Sequence, residues 1–292
     1  FFNEGEKNLK ANAELTFSPI KGLSLRAIGG YNFGLTEEKH YRNELQLTEG
    51  RKVGPSKLTN TMYWNAYKTF QFIANYNLKI KRHDVSLLAG YTWEDECQRF
   101  VSGSRNKVAT DDKPYLSMGD ANGQTNSGDG YDWALQSVIG RLTYNYDQRY
   151  LFELNMRYDG SSRFPTNSKY ALFPSVSAGW RITEEKFWKD EPAFDFVNNL
   201  KLKASYGVLG NNIGNYPYQT AYQLDSKHNY VFGGTYTQGA AITTFTDPNL
   251  KWERTRTSDV GIEAAFFNYA LTFNATYFYR KTTDVIYTPA AS

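Results

Sequence analysis

Apolar and polar residues alternate along much of this chain with a period of two, the pattern of β-strands whose two faces meet different surroundings. Ala11, Ala13, Leu15 and Phe17 fall on one face, and Lys10, Asn12, Glu14 and Thr16 on the other. Residues 18–22 read as a turn, after which Leu23, Leu25, Ala27, Gly29, Tyr31 and Phe33 continue the apolar row, so the pair predicts a hairpin. The alternation returns from Phe70 to Leu78, Val85 to Trp93, Val138 to Tyr146, Tyr150 to Tyr158, Val176 to Ile182, Leu200 to Val208, Val260 to Phe266 and Leu271 to Tyr279. Residues 34–60, 94–131 and 209–248 are polar and rich in turn formers, and read as long loops. Thr183 with Glu184 and Glu185 suits the start of a short helix.

The fold class expected is therefore all-β: about ten antiparallel strands of a transmembrane barrel. Roughly 48 apolar-row positions carry no Asp, Glu, Lys or Arg, where random placement would put about ten, and a charge facing lipid costs about 2 to 4 kcal/mol at the midplane. Connections are expected to alternate strictly between short inner turns and long outer loops. Both chain ends then face outward, so the chain reads as an excerpt of a larger barrel. A soluble carbohydrate-binding β-sandwich is the rival, which calls for short, balanced loops.

Composition sharpens this reading. Aromatic residues make up 16% of the 292 residues, with 23 Tyr, 19 Phe and 6 Trp, yet mean hydropathy is −0.61, which suits amphipathic strands. A net charge of +3 is too small for the attraction to phosphate backbones that nucleic-acid binding needs, so no nucleic-acid partner is expected. No apolar run is long enough for a transmembrane helix, and no leader-like segment stands near Phe1. Cys97 is the single cysteine, which rules out a disulfide within the chain.

Four ordered stretches carry a resemblance. They are Arg157-Tyr158-Asp159-Gly160-Ser161-Ser162-Arg163-Phe164 with Phe173-Pro174-Ser175-Val176-Ser177-Ala178-Gly179-Trp180-Arg181-Ile182; Leu202-Lys203-Ala204-Ser205-Tyr206-Gly207 with Gly210-Asn211; Asp247-Pro248-Asn249-Leu250-Lys251-Trp252-Glu253; and Tyr279-Arg280-Lys281-Thr282-Thr283-Asp284. Together they resemble the SusC/RagA family of TonB-linked outer-membrane transporters. The resemblance implies a plugged barrel of about 22 strands, of which residues 1–292 are part of the single barrel domain, the plug and N-terminal extension lying elsewhere. It also implies TonB-energised import of an oligosaccharide or a peptide beneath a SusD-like surface lipoprotein, TonB being reached through the missing plug. Membrane lipid and lipopolysaccharide would surround the barrel. A passive porin and a siderophore receptor remain alternatives within the barrel class.

Candidate ligand contacts are the loop aromatics Tyr216, Tyr218, Tyr222, Tyr230, Phe232 and Tyr236, and Tyr115, Tyr131 and Trp133 in or beside another loop, since aromatic faces stack on sugar rings and peptide side chains. The competing role for them is loop packing or an interfacial girdle. Gly160 is expected to supply a backbone angle other residues resist, with Asp159, Ser161 and Ser162 fixing a turn, and Gly207, Gly210 and Gly214 also read as turn glycines. Arg157 and Arg163 suit pairing with acids or with a lipopolysaccharide phosphate. Asp120, Asn122, Asn126 and Asp129 fail calcium-loop spacing, and His40, His83 and His228 stand singly, so no metal or cofactor is expected. No nucleophile, base and acid combine in a local motif, and no enzyme is expected.

Overall fold

The structure is a computed structural model that describes every residue except 111, 213, 215–217, 225–228, 243–245 and 287–292. The first half of the chain forms β1 (Phe2–Phe17), β2 (Leu23–Arg42), β3 (Leu45–Thr48), β4 (Arg51–Val53), β5 (Lys57–Ile80), β6 (His83–Asn106) and β7 (Thr125–Tyr146). The second forms β8 (Tyr150–Ser161), β9 (Tyr170–Arg181), α1 (Lys186–Lys189), β10 (Val197–Asn211), β11 (Tyr222–Gln223), β12 (Tyr230–Phe232), β13 (Thr235–Thr237), β14 (Ala241–Ile242), β15 (Glu253–Phe266) and β16 (Leu271–Thr283). Ten of these make one sheet in the order β1-β2-β5-β6-β7-β8-β9-β10-β15-β16, and the six short ones pair two by two. The sheet is open, since β1 and β16 end it.

The registers join the separate apolar rows into one band. Val138 stands opposite Tyr158, Leu142 opposite Leu154, Leu154 opposite Val176, Tyr150 and Leu202 opposite Trp180, Ala204 opposite Val260 and Val260 opposite Tyr277. In a sandwich this band would be the buried inner face. Here Val138, Tyr158, Trp180, Leu202, Val260 and Tyr277 are all exposed. An apolar face of that extent, uncovered by any part of the described chain, is the lipid-facing side of a membrane barrel.

The chain divides into two compact units: Phe1–Leu15, Ile28–Phe70 and Glu94–Ala134 form one, and Thr16–Ala27, Gln71–Trp93 and Leu135–Ser292 the other. Each has a small core of its own. Tyr41, Leu58 and Val108 are buried in the first unit; Phe164, Ala171, Phe173, Leu250 and Trp252 are buried in the second.

Four expectations are corrected. Strands run well past the apolar rows, to Arg42 in β2, to Asn106 in β6 and from Thr125 in β7, so the first two long loops shrink to residues 43–56 and 107–124, while the third, residues 212–252, keeps its expected length. Backbone hydrogen bonding extends a ladder as readily above the membrane as within it, while the apolar alternation is needed only against lipid. The alternation of connection lengths is not strict, because the inner connection 182–196 is longer than the outer connection 162–169. Val208, placed in the lipid-facing row, instead packs on the Phe173 and Trp252 cluster while Leu209 is 65% exposed. Pairing of β10 with β9 ends at Gly207 opposite Ser175, just before this change of face.

The fourth concerns Thr183. It does not cap a helix through its side chain; its hydroxyl oxygen lies 3.4 Å from the Leu200 amide, and α1 follows Glu185. The Glu185 carboxylate accepts bonds from Tyr150 Oη at 2.6 Å, Trp180 Nε1 at 3.0 Å and Arg149 Nη1 at 2.9 Å. The Tyr150 bond, then the Trp180 bond and the Arg149 charge hold its pKa below the ordinary carboxylate range. A carboxyl with a depressed folded pKa contributes fully above its unfolded value and loses that contribution as pH falls through the folded one. A spin label at Asp190 is therefore expected to stay immobile from neutral pH down through the ordinary glutamate range and to gain mobility only in stronger acid. In Glu185→Gln it should be mobile already at neutral pH; equal mobility in both proteins at pH 7 would refute the anchor.

Candidate functional site

The face opposite the apolar band is polar, and in the first unit it gathers aromatic rings around two carboxylates. Glu94 and Glu96 are two residues apart on β6, so both project from the face opposite Tyr91 and Trp93. Tyr67 of β5 donates its hydroxyl to Glu94 Oε2 at 2.8 Å, and Trp133 of β7 donates Nε1 to Glu96 Oε2 at 2.7 Å. Gln98 donates to the second Glu96 oxygen at 2.7 Å. The two rings lie 6.3 Å apart, tilted by 42°. Neither carboxylate has an ion-pair partner among the described residues, so the patch carries uncompensated negative charge beneath oriented rings. A little further along the same two strands, Tyr63 and Phe100 approach to 5.7 Å. This surface suits sugar hydroxyls and ring faces, or the cationic and apolar groups of a peptide.

Trp133 and Tyr131 were expected in or beside a loop and instead lie within β7, on this inner face. Tyr67, Glu94 and Glu96 were not singled out from the sequence. Extending the period-two row of β6 past Trp93 into the acidic run would have placed both glutamates inward.

The remaining loop aromatics among the described residues do not converge. Tyr115 is exposed, with the Lys39 ammonium 5.1 Å from its ring centre. Tyr218 packs on the Phe164 and Trp252 cluster, its hydroxyl 3.5 Å from the Ser162 carbonyl. Tyr222 pairs with Ile242 across β11 and β14, and Tyr230 and Phe232 sit two apart on β12 with rings 6.4 Å apart, opposite β13, which carries Tyr236. Tyr236 is 79% exposed, and Tyr222, Tyr230 and Phe232 are exposed as well. Tyr216 lies outside the described residues.

The run from Arg157 to Phe164 is part of a clamp. Phe164 stacks on Trp252 at 4.6 Å and Phe173 meets the same indole edge-on at 5.3 Å. Trp252 Nε1 donates to the Lys169 carbonyl at 3.1 Å, Ser168 Oγ donates to the Leu250 carbonyl, and Arg163 reaches the Asn212 carbonyl at 3.3 Å. The outer connection 162–169 thus grips both ends of the connection 212–252. Asp247 makes the expected turn, its Oδ1 accepting from the Asn249 amide at 2.8 Å, and Ser161 Oγ accepts from the Arg163 amide at 3.2 Å. Arg157 pairs with Asp159 at 2.7 Å and donates to Ser137 at 2.9 Å, within the strands.

Gly160 is a strand residue without a positive φ; a Cβ there would fall 2.1 Å from the Tyr170 ring, so close ring packing is what requires glycine. Gly207 and Gly210 likewise lie in β10, with the Phe173 ring 2.1 Å from where a Gly210 Cβ would stand. In loop 107–124, Asp120 accepts from the Asn122 amide at 2.9 Å and from Lys107, and these bonds lower its pKa. That arrangement is a turn closed by an ion pair.

All 292 residues match the family model described as TonB dependent receptor-like, beta-barrel. The chain is 30% identical over 286 residues to TonB-dependent receptor P3 of Formosa agariphila, covering 95% of this chain and 27% of that protein. It is 39% identical over 155 residues to TonB-dependent receptor SusC of Bacteroides thetaiotaomicron, covering 52% of this chain and 15% of that one. Among solved structures, that of the RagAB peptide transporter superposes with a TM-score of 0.83 at 27% identity, over 96% of this chain and 30% of that chain. The chain thus spans less than a third of these relatives. With its ten-stranded sheet, exposed apolar band and motif clamp, the chain belongs to the outer-membrane β-barrels of the TonB-dependent receptor family, of the SusC/RagA type.

Proposed function

We propose that residues 1–292 are part of one barrel domain in a TonB-energised importer of an oligosaccharide or a peptide, working with a SusD-like surface lipoprotein. The energy is delivered through a plug supplied by another part of the full protein. The observation that carries the reading is the inward patch of Tyr67, Trp133, Glu94 and Glu96, rings held in place by carboxylates on the wall a solute would pass. The likeness to SusC and to the RagAB peptide transporter supports the same reading. The exposed aromatics of β11 to β14 would meet solute or lipoprotein at the outer mouth.

The test is uptake of labelled oligosaccharide and peptide pools by cells that carry the full-length gene, with and without TonB. Uptake of one pool should require both the gene and TonB, and the surface lipoprotein should copurify with the barrel. Uptake that persists after TonB depletion would favour a passive porin. Tyr67→Ala with Trp133→Ala is expected to weaken binding of the imported solute by about 5- to 150-fold, at roughly 0.5 to 1.5 kcal/mol for each aromatic contact. Isothermal titration with the pool component found by uptake would measure this, and unchanged affinity would remove the patch from the solute path.

A further inference from the structure

The inner connection 182–196 is held at both ends on the lipid-facing side of the wall. At its start, Glu185 is bound by Tyr150 and Trp180, which stand opposite each other in the apolar band. At its end, Phe196 stacks on Phe266, the last residue of the β15 lipid-facing row, and on Phe267. Between these anchors Trp188 stacks on Phe194 at 4.4 Å, which braces the segment, and Phe187 is left 60% exposed. Phe267 and Tyr269 of the neighbouring turn are exposed beside Phe196. The connection joins the same strand ends as the tight turn 147–149, because the Arg181 amide donates to the Arg149 carbonyl at 2.8 Å, so it lies on the inner, periplasmic edge.

We infer that residues 182–196 form a foot that lies in the headgroup and acyl boundary of the inner leaflet, with Phe187, Phe194 and Phe196 inserted among phospholipid chains. The occupant follows from continuity: Phe196 packs on Phe266 at the end of a row that already faces acyl chains, and Phe187, Phe194 and Phe267 are exposed on the same short connection and its neighbouring turn. On the polar face, where Lys201 and Lys203 pair with Glu263, the connection has one charged tie among the described residues, Glu184 to Arg181 at 3.0 Å, whereas its aromatic side chains and Glu185 meet the band side. Charge is not the attraction. Lys186 and Lys189 stand among Glu184, Glu185, Asp190, Glu191 and Asp195, so the foot is net acidic and its seating depends on apolar contact with zwitterionic lipid.

The test uses the full-length protein in nanodiscs of phosphatidylethanolamine and phosphatidylcholine, with native cysteines replaced and a spin label at Phe187→Cys. Collision with oxygen should be high and collision with a water-soluble nickel complex low, compared with a reporter at Lys81→Cys in the turn between β5 and β6. The pattern should be unchanged when anionic lipid is added. A nickel collision rate equal to that of the Lys81 reporter would overturn the inference. Should Phe187→Cys fail to give the folded, heat-modifiable form, the label at Phe267→Cys makes the same prediction and is judged by the same comparison.

Discussion

Trp252→Ala is expected to destabilise the folded barrel by about 3 to 5 kcal/mol, the usual cost of emptying a large aromatic site. Trp252 is 5% exposed, touches Phe164 and Phe173 through its ring faces and edge, and satisfies the Lys169 carbonyl. Removing it leaves a cavity that two flanking rings, each fixed by its own strand or turn, are poorly placed to fill. It also cuts the tie between connections 162–169 and 212–252. The expected signature is twofold: a lower urea midpoint for the full-length protein in lipid vesicles, and faster protease cleavage within 212–252. Trp252→Phe keeps the stacking and loses the hydrogen bond, and should recover most of the stability. A wild-type cleavage rate in Trp252→Ala would mean the clamp does not order the long connection.

Leu142→Lys is expected to cost about 2 to 4 kcal/mol, whereas Thr143→Lys one residue along should cost close to nothing. Leu142 stands mid-row opposite Leu154 in the apolar band. Thr143 stands opposite Glu153 on the polar face, where a lysine meets a carboxylate and gains about 0.2 to 1 kcal/mol. Both changes add the same side chain to the same strand, so length, propensity and net charge cancel in the comparison. Refolding into vesicles followed by urea titration would measure the gap. Equal costs would contradict a lipid-facing row on β7.

Most of the strand pattern was legible because lipid imposes its demand locally: each outward side chain must be apolar, whatever its neighbours in space. That is why the rows from Val138 to Tyr158 and from Leu271 to Tyr279 could be read directly. The same logic explains the misses. Above the bilayer both faces of a strand are wet, so the outer parts of β2, β6 and β7 carry no alternation, and their polar residues read as loops. Tyr131 was read into a loop, and Trp133 beside it, for that reason. The turn chemistry of Asp247 and Ser161 was legible because it involves neighbours in sequence, while the glycine at 160 answers to a ring ten residues away.

The order of side chains along the chain thus determined by itself that this protein is built of antiparallel strands with one apolar row each and, Val208 apart, which residues make up those rows, since alternation is a property of one strand at a time. That the rows stand uncovered, as in a membrane barrel and not in a sandwich, was decided by the tertiary structure. Only the tertiary structure decided that Tyr67, Glu94, Glu96 and Trp133 form one inward patch. It alone also decided that the Arg157 to Phe164 motif clamps a distant tryptophan, and that Glu185 carries the inner connection onto the lipid side. These depend on which residues of different strands and connections come to lie side by side. Strand register and long-range packing set that, and no local run of the sequence encodes it.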